Sequence, residues 1–289
     1  MNELELVRAI RRHAGAPESK SVVLGIGDDC AILRPPRGHD LLITTDFLIE
    51  GIHFVRAKQT AAEIGWKALA RGLSDIAAMG GTAQAAFFSI AAAPWVSGHF
   101  IAGFYRGARR LAAMHRVSIA GGDVSRAREF VCDVTVAGSV PRGKALRRDG
   151  ARPGEVIVVS GPLGRAAAAG YLEHPGPRPR LDAGKALMRA RATSCMDLSD
   201  GLAMDLHRLA VESGVSAVLD GVLPSAPGAT LEHALFGGED YELLATLPPR
   251  RKLPRGFTRI GEIVKGKPGR VTFAGAPLPP KGWDPLAAK

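Results

Sequence analysis

Cysteine is scarce in this chain of 289 residues, which holds only Cys30, Cys132 and Cys195. No two of them form a C-x-x-C pair, so the sequence supports neither a disulfide framework nor a thiolate zinc site. We therefore predict reduced and mostly buried cysteines. A reactive thiol at Cys30, which follows two aspartates, is the alternative.

Long apolar runs are also lacking, because no stretch approaches the roughly 18 to 20 residues that a membrane-spanning helix needs. The N-terminal segment MNELELVRAIRRHAG mixes acids and bases at helical spacing, and it has neither an apolar signal core nor a cleavage site. These features predict a cytoplasmic protein without a membrane partner. The hydrophobic content of 46% is enough for one large or two medium folded domains.

Aromatic residues make up only 6% of the chain, and 28 acidic residues are outnumbered by 38 lysines and arginines, for a net charge of +10. The basic residues collect in segments such as RGARRL, KALRRDGARPG and PPRRKLPRG. Because aromatics are not interleaved with them, a stacking surface for single-stranded nucleic acid is poorly supported. A pocket for a phosphorylated small ligand is the interpretation that we favour, and a basic nucleic-acid-binding protein is the alternative.

Hydrophobic periodicity predicts strands that alternate with helices, which is typical of an α/β or α+β layer fold. A turn-rich basic joint at 141–155 separates two halves, and we place the boundary near residue 145, giving domains 1–145 and 146–289. The second half opens with the strand VIVVSG and an Ala-rich helix near 163–173. The order of elements in both halves resembles a βαβ build.

Aspartates stand where predicted strands end or on apolar-patterned helices. They are the acidic pair in GIGDDCAIL, Asp46 in LLITTD, Asp75 in GLSDIAAMGG, Asp123 in SIAGGD, and Asp197 and Asp200 in MDLSDG. Ends of strands in α/β layers are where ligands are usually held. Oxygen donors without a Cys or His cluster suit Mg²⁺, which usually bridges to phosphate oxygens.

Each aspartate taken singly also has a simple structural explanation. Asp200 or Ser199 could cap a helix that begins near Gly201, and Asp75 could pair with Arg71 four residues earlier. We favour the metal site because capping explains all of these acids together less well than a shared ligand does. The known phosphate loops are missing, since there is no G-x-x-x-x-G-K-[ST] motif and GIGDDC lacks the third glycine of the dinucleotide fingerprint.

Six motifs in this order and spacing resemble the thiamine-monophosphate kinase family: GIGDDCAIL, TTDFLIEGIHF, LSDIAAMGG, GGDVSR, MDLSDGLAMDL and GGEDYEL. The resemblance runs from about residue 20 to the C-terminus and includes KGWD. It implies a two-domain aminoimidazole-ribotide synthetase-like fold, with an N-terminal domain that binds ATP and Mg²⁺ and whose sheet is used for homodimerisation. Another ATP-dependent synthetase of the same superfamily is the alternative, for which Cys30 is the only candidate nucleophile.

The resemblance further implies direct in-line phosphoryl transfer from ATP to thiamine monophosphate, assisted by several Mg²⁺ ions and giving thiamine diphosphate. The acceptor phosphate already carries its nucleophilic electrons, so we nominate no general base. The implied metal ligands are Asp29, Thr44, Thr45, Asp46, Asp75, Asp123, Asp197 and Asp200. The implied nucleotide contacts are His115, Gly122, Asp123, Arg148 and Ser199, and the implied substrate contacts are His53, Glu239 and Trp283.

Three of these residues keep alternatives. His115 stands near the place where the family often has a nucleotide-contacting tyrosine. Trp283 could stack on the substrate or anchor the C-terminal tail. Glu239 could bind the substrate or cap a helix begun near YELL.

Overall fold

The computed structural model describes residues 3–26, 30–172, 174 and 176–284. The chain forms two compact units that are discontinuous in sequence. Unit 1 comprises Met1–Ile76, Thr82–Gly143 and Leu172–Arg178, and unit 2 comprises Ala77–Gly81, Lys144–Tyr171 and Pro179–Lys289. In the described part of the chain, none of the helices combines the length and the apolar character needed to cross a lipid bilayer.

The first half of the chain follows the predicted alternation of strands and helices. Its elements are α1 (Glu3–Ala14), β1 (Val22–Leu24), β2 (Ile32–Leu33), β3 (His39–Ile49), α2 (Ala61–Ala78), β4 (Thr82–Ala92), α3 (Gly98–His115), β5 (Ser118–Arg126) and β6 (Val131–Pro141). Strands β3 to β6 form one sheet in the order β3-β6-β4-β5. Only β4 and β5 are parallel, and the other two pairs in this sheet are antiparallel.

Helices α2 and α3 cover one face of this sheet. Phe88 on β4 makes edge contacts with the rings of Phe104 and Tyr105 on α3, at centroid distances of 5.8 and 5.6 Å. The two helices touch through their backbones, because a Cβ at Gly107 on α3 would lie 1.8 Å from the carbonyl oxygen of Ala62 on α2. Only glycine fits there, so this contact fixes how α2 lies over the strands.

The opposite face of the sheet is partly open. Along β3, the residues on that face alternate with residues that point toward α2. Leu41, Ile43 and Phe47 are 48%, 66% and 58% exposed, whereas Leu48 on the covered face is fully buried. The sheet thus has one closed layer and one apolar face in contact with solvent.

The second half of the chain contributes the following elements: β7 (Val156–Val159), α4 (Arg165–Ala168), α5 (Leu181–Ala190), β8 (Ser194–Asp197), α6 (Leu202–Glu212), β9 (Ser216–Leu219), α7 (Leu231–Phe236), β10 (Leu243–Leu247), β11 (Thr258–Val264), β12 (Val271–Phe273) and β13 (Ala276–Pro277). The strands form a sheet in the order β13-β12-β9-β11-β7-β10-β8. Strand β10 is fully enclosed, with all five residues buried.

Two sequence-based expectations are wrong in detail. The helix expected near 163–173 is reduced to α4, because Gly170 and Tyr171 adopt positive φ angles of 75° and 50° that end it. The βαβ order holds for β4, α3 and β5, but in unit 2 the described strand pairs are antiparallel except for β9 with β12.

Candidate active site

Strand β3 and helix α2 bring three of the predicted metal ligands, Thr44, Asp46 and Asp75, to one face of the first sheet. Thr44 and Asp46 are two residues apart, so both side chains leave the strand on the α2 side. The Thr44 hydroxyl donates to Oδ2 of Asp75 on α2. Nη2 of Arg71, one turn earlier on α2, lies 3.4 Å from Oδ1 of Asp46. The structure pairs Arg71 with Asp46, and the alternative pairing of Asp75 with Arg71 stays a prediction.

Burial makes the charge on Asp46 costly. The pKa of Asp46 is raised from 3.8 to about 6, first by burial and then by the carboxylates of Asp75 and Asp133, while Arg71 opposes the shift. Arg71 lowers the pKa of Asp46 more than either carboxylate raises it, so burial is what keeps the pKa high. A cation bound beside Asp46 and Asp75 would stabilise the ionised form of both carboxylates.

Asp133 was not predicted, and it lies on the opposite face of the sheet. Phe47 of β3 pairs with Asp133 of β6, Ser89 of β4 pairs with the same Asp133, and Asp123 of β5 pairs with Ser89. The Thr45 hydroxyl donates to Oδ1 of Asp133. Thr45 and Asp123 therefore belong to this face, apart from Thr44 and Asp46. An acid within the alternating strand FVCDVTV was the signal in the sequence.

The predicted metal ligands that lie on the first sheet and helix α2 are consequently divided between the two faces of this sheet. Within the described ranges, no three His, Cys, Asp or Glu side chains are close enough to form a metal site by themselves. Asp29 lies outside the described residues, so its predicted role stays a prediction. The donors that are present are carboxylate and hydroxyl oxygens, which fit Mg²⁺ better than a softer metal.

A cavity of about 930 Å³ opens in unit 1 beside Asp123. Its lining includes Gly122 and Tyr105, and α1 contributes Arg8 and Arg11. Gly122 has a φ of 148°, and a Cβ there would lie 1.9 Å from the carbonyl oxygen of Phe88. The backbone can therefore form this wall only with glycine. Two arginines on one side give the cavity the charge that an anionic ligand needs.

The cysteines and His115 differ in whether they line this cavity. Exposed Cys30 is part of the lining, whereas Cys132 and Cys195 are buried, and all three are free thiols. His115 is the last residue of α3 and is not among the residues that line the cavity. Its predicted nucleotide contact stays a prediction.

His53 lies in the turn that follows β3 and accepts two hydrogen bonds. Its Nδ1 accepts from the backbone N–H of Ile49 at 3.0 Å, and its carbonyl accepts from the ammonium of Lys67 at 2.6 Å. Burial lowers the pKa of His53 to about 3, and the charges of Arg71 and Lys67 lower it further. The imidazole is therefore neutral at physiological pH.

In unit 2, the loop after β8 gathers four of the predicted residues. The N–H of Glu239 donates to the carbonyl of Ser199 at 2.7 Å, and the N–H of Trp283 donates to the carbonyl of Asp200 at 2.9 Å. Asp197, at the end of β8, is buried. Residues that are more than 80 positions apart in the sequence thus meet at one loop.

Asp200 is oriented by two residues that the sequence analysis did not select. Oδ2 of Asp205 accepts from the N–H of Asp200 at 3.0 Å, and the Arg208 guanidinium bridges the Asp200 and Asp205 carboxylates. Burial raises the pKa of Asp205 to about 7. A lone acid in the apolar helix pattern LAMDL was the available signal.

The capping alternatives are wrong. Helix α6 has Gly201 at its N-cap and no side-chain cap, so neither Asp200 nor Ser199 caps it. No helix begins near YELL, because β10 starts at Leu243. Glu239 instead has a positive φ of 62°, a strained backbone that non-glycine residues rarely adopt.

Two further predicted residues are exposed. Arg148 extends from a loop of unit 2, and its carbonyl accepts from the Ser213 hydroxyl at 2.7 Å. Trp283 is 45% exposed, so its indole is not buried as an anchor would be. Both side chains are accessible to a ligand.

Residues 27–140 match the family model described as AIR synthase related protein, N-terminal domain. The thiamine-monophosphate kinase of Bacillus subtilis is 33% identical to this chain, over 86% of the chain and 84% of its own length. The enzyme of the same name from Escherichia coli K12 is 38% identical and covers 92% of the chain and 93% of its own length.

Solved structures agree with these relatives. Thiamine-monophosphate kinase from Stenotrophomonas maltophilia superposes with a TM-score of 0.81 at 34% identity, covering 96% of this chain and 98% of that one. AaThiL complexed with AMPPCP and TMP superposes with a TM-score of 0.79 at 33% identity, covering 97% of this chain and 96% of that one. Escherichia coli HypE, a hydrogenase maturation protein, is 16% identical with a TM-score of 0.77, which shows the shared fold alone. The chain therefore has the aminoimidazole-ribotide synthetase-like fold and is an enzyme that belongs to the thiamine-monophosphate kinase family.

Proposed function

We propose that this chain transfers the γ-phosphoryl group of ATP to the phosphate of thiamine monophosphate. An oxygen of the acceptor phosphate forms the new bond to phosphorus, the bond from phosphorus to the β,γ-bridging oxygen breaks, and ADP leaves with thiamine diphosphate as the product. The observation that carries the proposal is the buried cluster around Asp46 and Asp75, in a chain whose relatives at 33% and 38% identity are named thiamine-monophosphate kinases. AaThiL in complex with AMPPCP and TMP supports the same pair of ligands.

Charge is the main difficulty of this reaction. ATP brings about four negative charges and a phosphate monoester about two, so an anion must approach an anion. Phosphoryl transfer asks for little covalent help from protein, and positioning with electrostatic stabilisation supplies most of the rate. The acceptor oxygen already carries its electron pair, so we assign no general base.

The carboxylate cluster is proposed to hold several Mg²⁺ ions. Few protein carboxylates are needed for each ion, because Mg²⁺ completes its shell with substrate phosphates and waters. Bound Mg²⁺ supplies charge neutralisation and orientation of the phosphate oxygens. The proposed ligands are Asp29, Thr44, Thr45, Asp46, Asp75, Asp123, Asp197 and Asp200.

The other predicted residues are proposed to bind the two substrates. The cavity beside Gly122 and Asp123, with its two arginines, supports nucleotide binding in the domain 1–145. His115, Arg148 and Ser199 are the further proposed nucleotide contacts. His53, Glu239 and Trp283 are the proposed contacts to thiamine monophosphate, and an exposed indole can stack on its aromatic rings.

The domain 146–289 is proposed to be the C-terminal aminoimidazole-ribotide synthetase-like domain, and the first sheet is proposed to form a homodimer. The open face of that sheet carries Leu41, Ile43 and Phe47, each about half exposed or more. Strand β3 is also an edge strand. Exposed apolar faces at a sheet edge are typical of association surfaces. A second copy of this chain offers the same apolar face.

An assay with product analysis tests the proposed reaction. Purified protein is mixed with thiamine monophosphate, ATP and Mg²⁺, and thiamine diphosphate and ADP are quantified by anion-exchange chromatography. The proposal predicts equal amounts of both products and no reaction without Mg²⁺. ATP turnover without thiamine diphosphate would contradict it and would favour another synthetase of the superfamily.

Light scattering tests the proposed dimer. Ile43→Lys is expected to convert a dimer to a monomer, whereas Val211→Lys, at an exposed residue of unit 2, should leave the mass unchanged. A monomeric parent protein at micromolar concentration would contradict the proposal.

Cytoplasmic residence stays a prediction.

A further inference from the structure

Helix α2 carries two cations in line with one of its acids. Lys67, Arg71 and Asp75 are spaced four residues apart, so they lie along one face of the helix. Lys67 is fully buried, and the side chain of Arg71 is 13% exposed. Burying two cationic side chains is costly unless they serve a partner or a ligand. The helix therefore brings concentrated positive charge to the edge of the acidic cluster.

Lys67 stabilises the turn that contains His53. Its ammonium donates to the carbonyl of His53 at 2.6 Å. On the other side of the same residue, the N–H of Ile49 donates to Nδ1 at 3.0 Å. Because Nδ1 accepts a hydrogen bond, the neutral ring carries its proton on Nε2. His53 is thus fixed as a residue that can donate through Nε2 and cannot accept there.

Arg71 acts on two of the predicted functional residues, Asp46 and His53. One of its nitrogens is 3.4 Å from Oδ1 of Asp46, longer than the roughly 2.8 Å of a strong charge-assisted hydrogen bond. Its charge also lowers the pKa of the His53 imidazole, by more than the charge of Lys67 does. The contact to Asp46 orients the guanidinium, whose five N–H donors allow it to hold more than one acceptor.

We propose that Arg71 and the Nε2–H of His53 form the subsite for the phosphate group of the acceptor. A phosphate monoester dianion presents several acceptor oxygens, and the planar guanidinium fork matches two of them. A neutral imidazole that can only donate suits a third oxygen. The inference rests on the proposed kinase function and adds Arg71, which the motif resemblance did not assign. Lys67 acts as a positioning residue through the turn.

Ligand binding tests the subsite independently of turnover. Dissociation constants for thiamine monophosphate and for unphosphorylated thiamine are measured by calorimetry in the presence of Mg²⁺ and AMPPCP. Arg71→Gln is expected to weaken binding of thiamine monophosphate by about 10- to 100-fold, the range for a hydrogen bond to a charged group. Binding of unphosphorylated thiamine should be unchanged. Arg106→Gln, at an exposed arginine of α3, is the matched control and should change neither constant.

A conservative variant covers the case in which Arg71→Gln does not fold. Arg71→Lys keeps the charge but loses the planar guanidinium. It should therefore weaken the binding of thiamine monophosphate by roughly tenfold and leave the binding of thiamine unchanged. His53→Phe should show the same selectivity for the phosphorylated ligand.

Three outcomes separate the possible errors. Equal losses for both ligands, or no loss for either, would overturn the subsite. A change confined to the Mg²⁺ concentration needed for half-maximal binding would also overturn it, because Arg71 would then serve only Asp46. A parent protein that binds no thiamine monophosphate would instead contradict the proposed function.

Discussion

Asp46→Asn separates the stability of the folded chain from its activity. Asparagine has nearly the same shape as a protonated aspartate, and its oxygen can still accept from Arg71. The substitution therefore removes a charge without opening a cavity. The side chain of Asp46 is 25% exposed, so most of its charge is shielded from water.

The size of the effect follows from the pKa of Asp46, which is 3.8 as the ordinary value and about 6 in the fold. Below the ordinary value both the folded and unfolded states are protonated, and the residue contributes nothing. Between the two values the unfolded chain ionises first, so the free energy of unfolding falls as pH rises. Above the higher value the cost is complete, at about 3 kcal/mol before discounting for solvent contact and roughly 2 kcal/mol after it.

Urea unfolding in EDTA between acid and alkaline pH measures this difference. We expect Asp46→Asn to be more stable than the parent protein by roughly 2 kcal/mol at alkaline pH and equally stable in acid. Phosphoryl transfer should nevertheless fall by about 100-fold or more. Added Mg²⁺ should stabilise the parent more than the variant, because a ligand that binds the folded state stabilises it. A variant less stable than the parent at alkaline pH would show that the buried charge of Asp46 does not destabilise the fold.

Two further substitutions test other parts of the account. Arg148→Ala should raise KM for ATP by roughly tenfold with little change in kcat, whereas Arg147→Ala, which loses an exposed pair with Asp149, should change neither in steady-state kinetics. Gly107→Ala should lower the free energy of unfolding by about 3 kcal/mol or more in urea, because the new Cβ meets the backbone of α2. Ala113→Leu, at an exposed position of the same helix, should lower it little. Equal stability of the two variants would contradict the close contact between α2 and α3.

The elements of the first half could be predicted from local pattern. Helix α2 was expected over 61–80 and spans Ala61–Ala78, and Gly80 follows with a positive φ of 69°. Strand pairing could not be predicted in this way, because the neighbour of β3 is β6, about 90 residues later. The register of two strands depends on which of their faces are buried together, and this cannot be predicted from a single sequence.

The same limit applies to the candidate site. Asp46 and Asp123 were expected at strand ends, but both lie inside longer strands, β3 (His39–Ile49) and β5 (Ser118–Arg126). The motifs located the loop around Asp200. Strand alternation also places Thr44 and Thr45 on opposite faces of the sheet, so these two adjacent residues contact different parts of the protein. Asp133 and Asp205 were missed because their partners come from distant strands and a helix turn.

Calorimetric titration with Mg²⁺ in the presence of AMPPCP tests directly whether the aspartates around β3 and β5 bind divalent cations. The account predicts that the parent protein binds several ions and that Asp46→Asn and Asp123→Asn each lose at least one of them. Unchanged stoichiometry and affinity in both variants would contradict it.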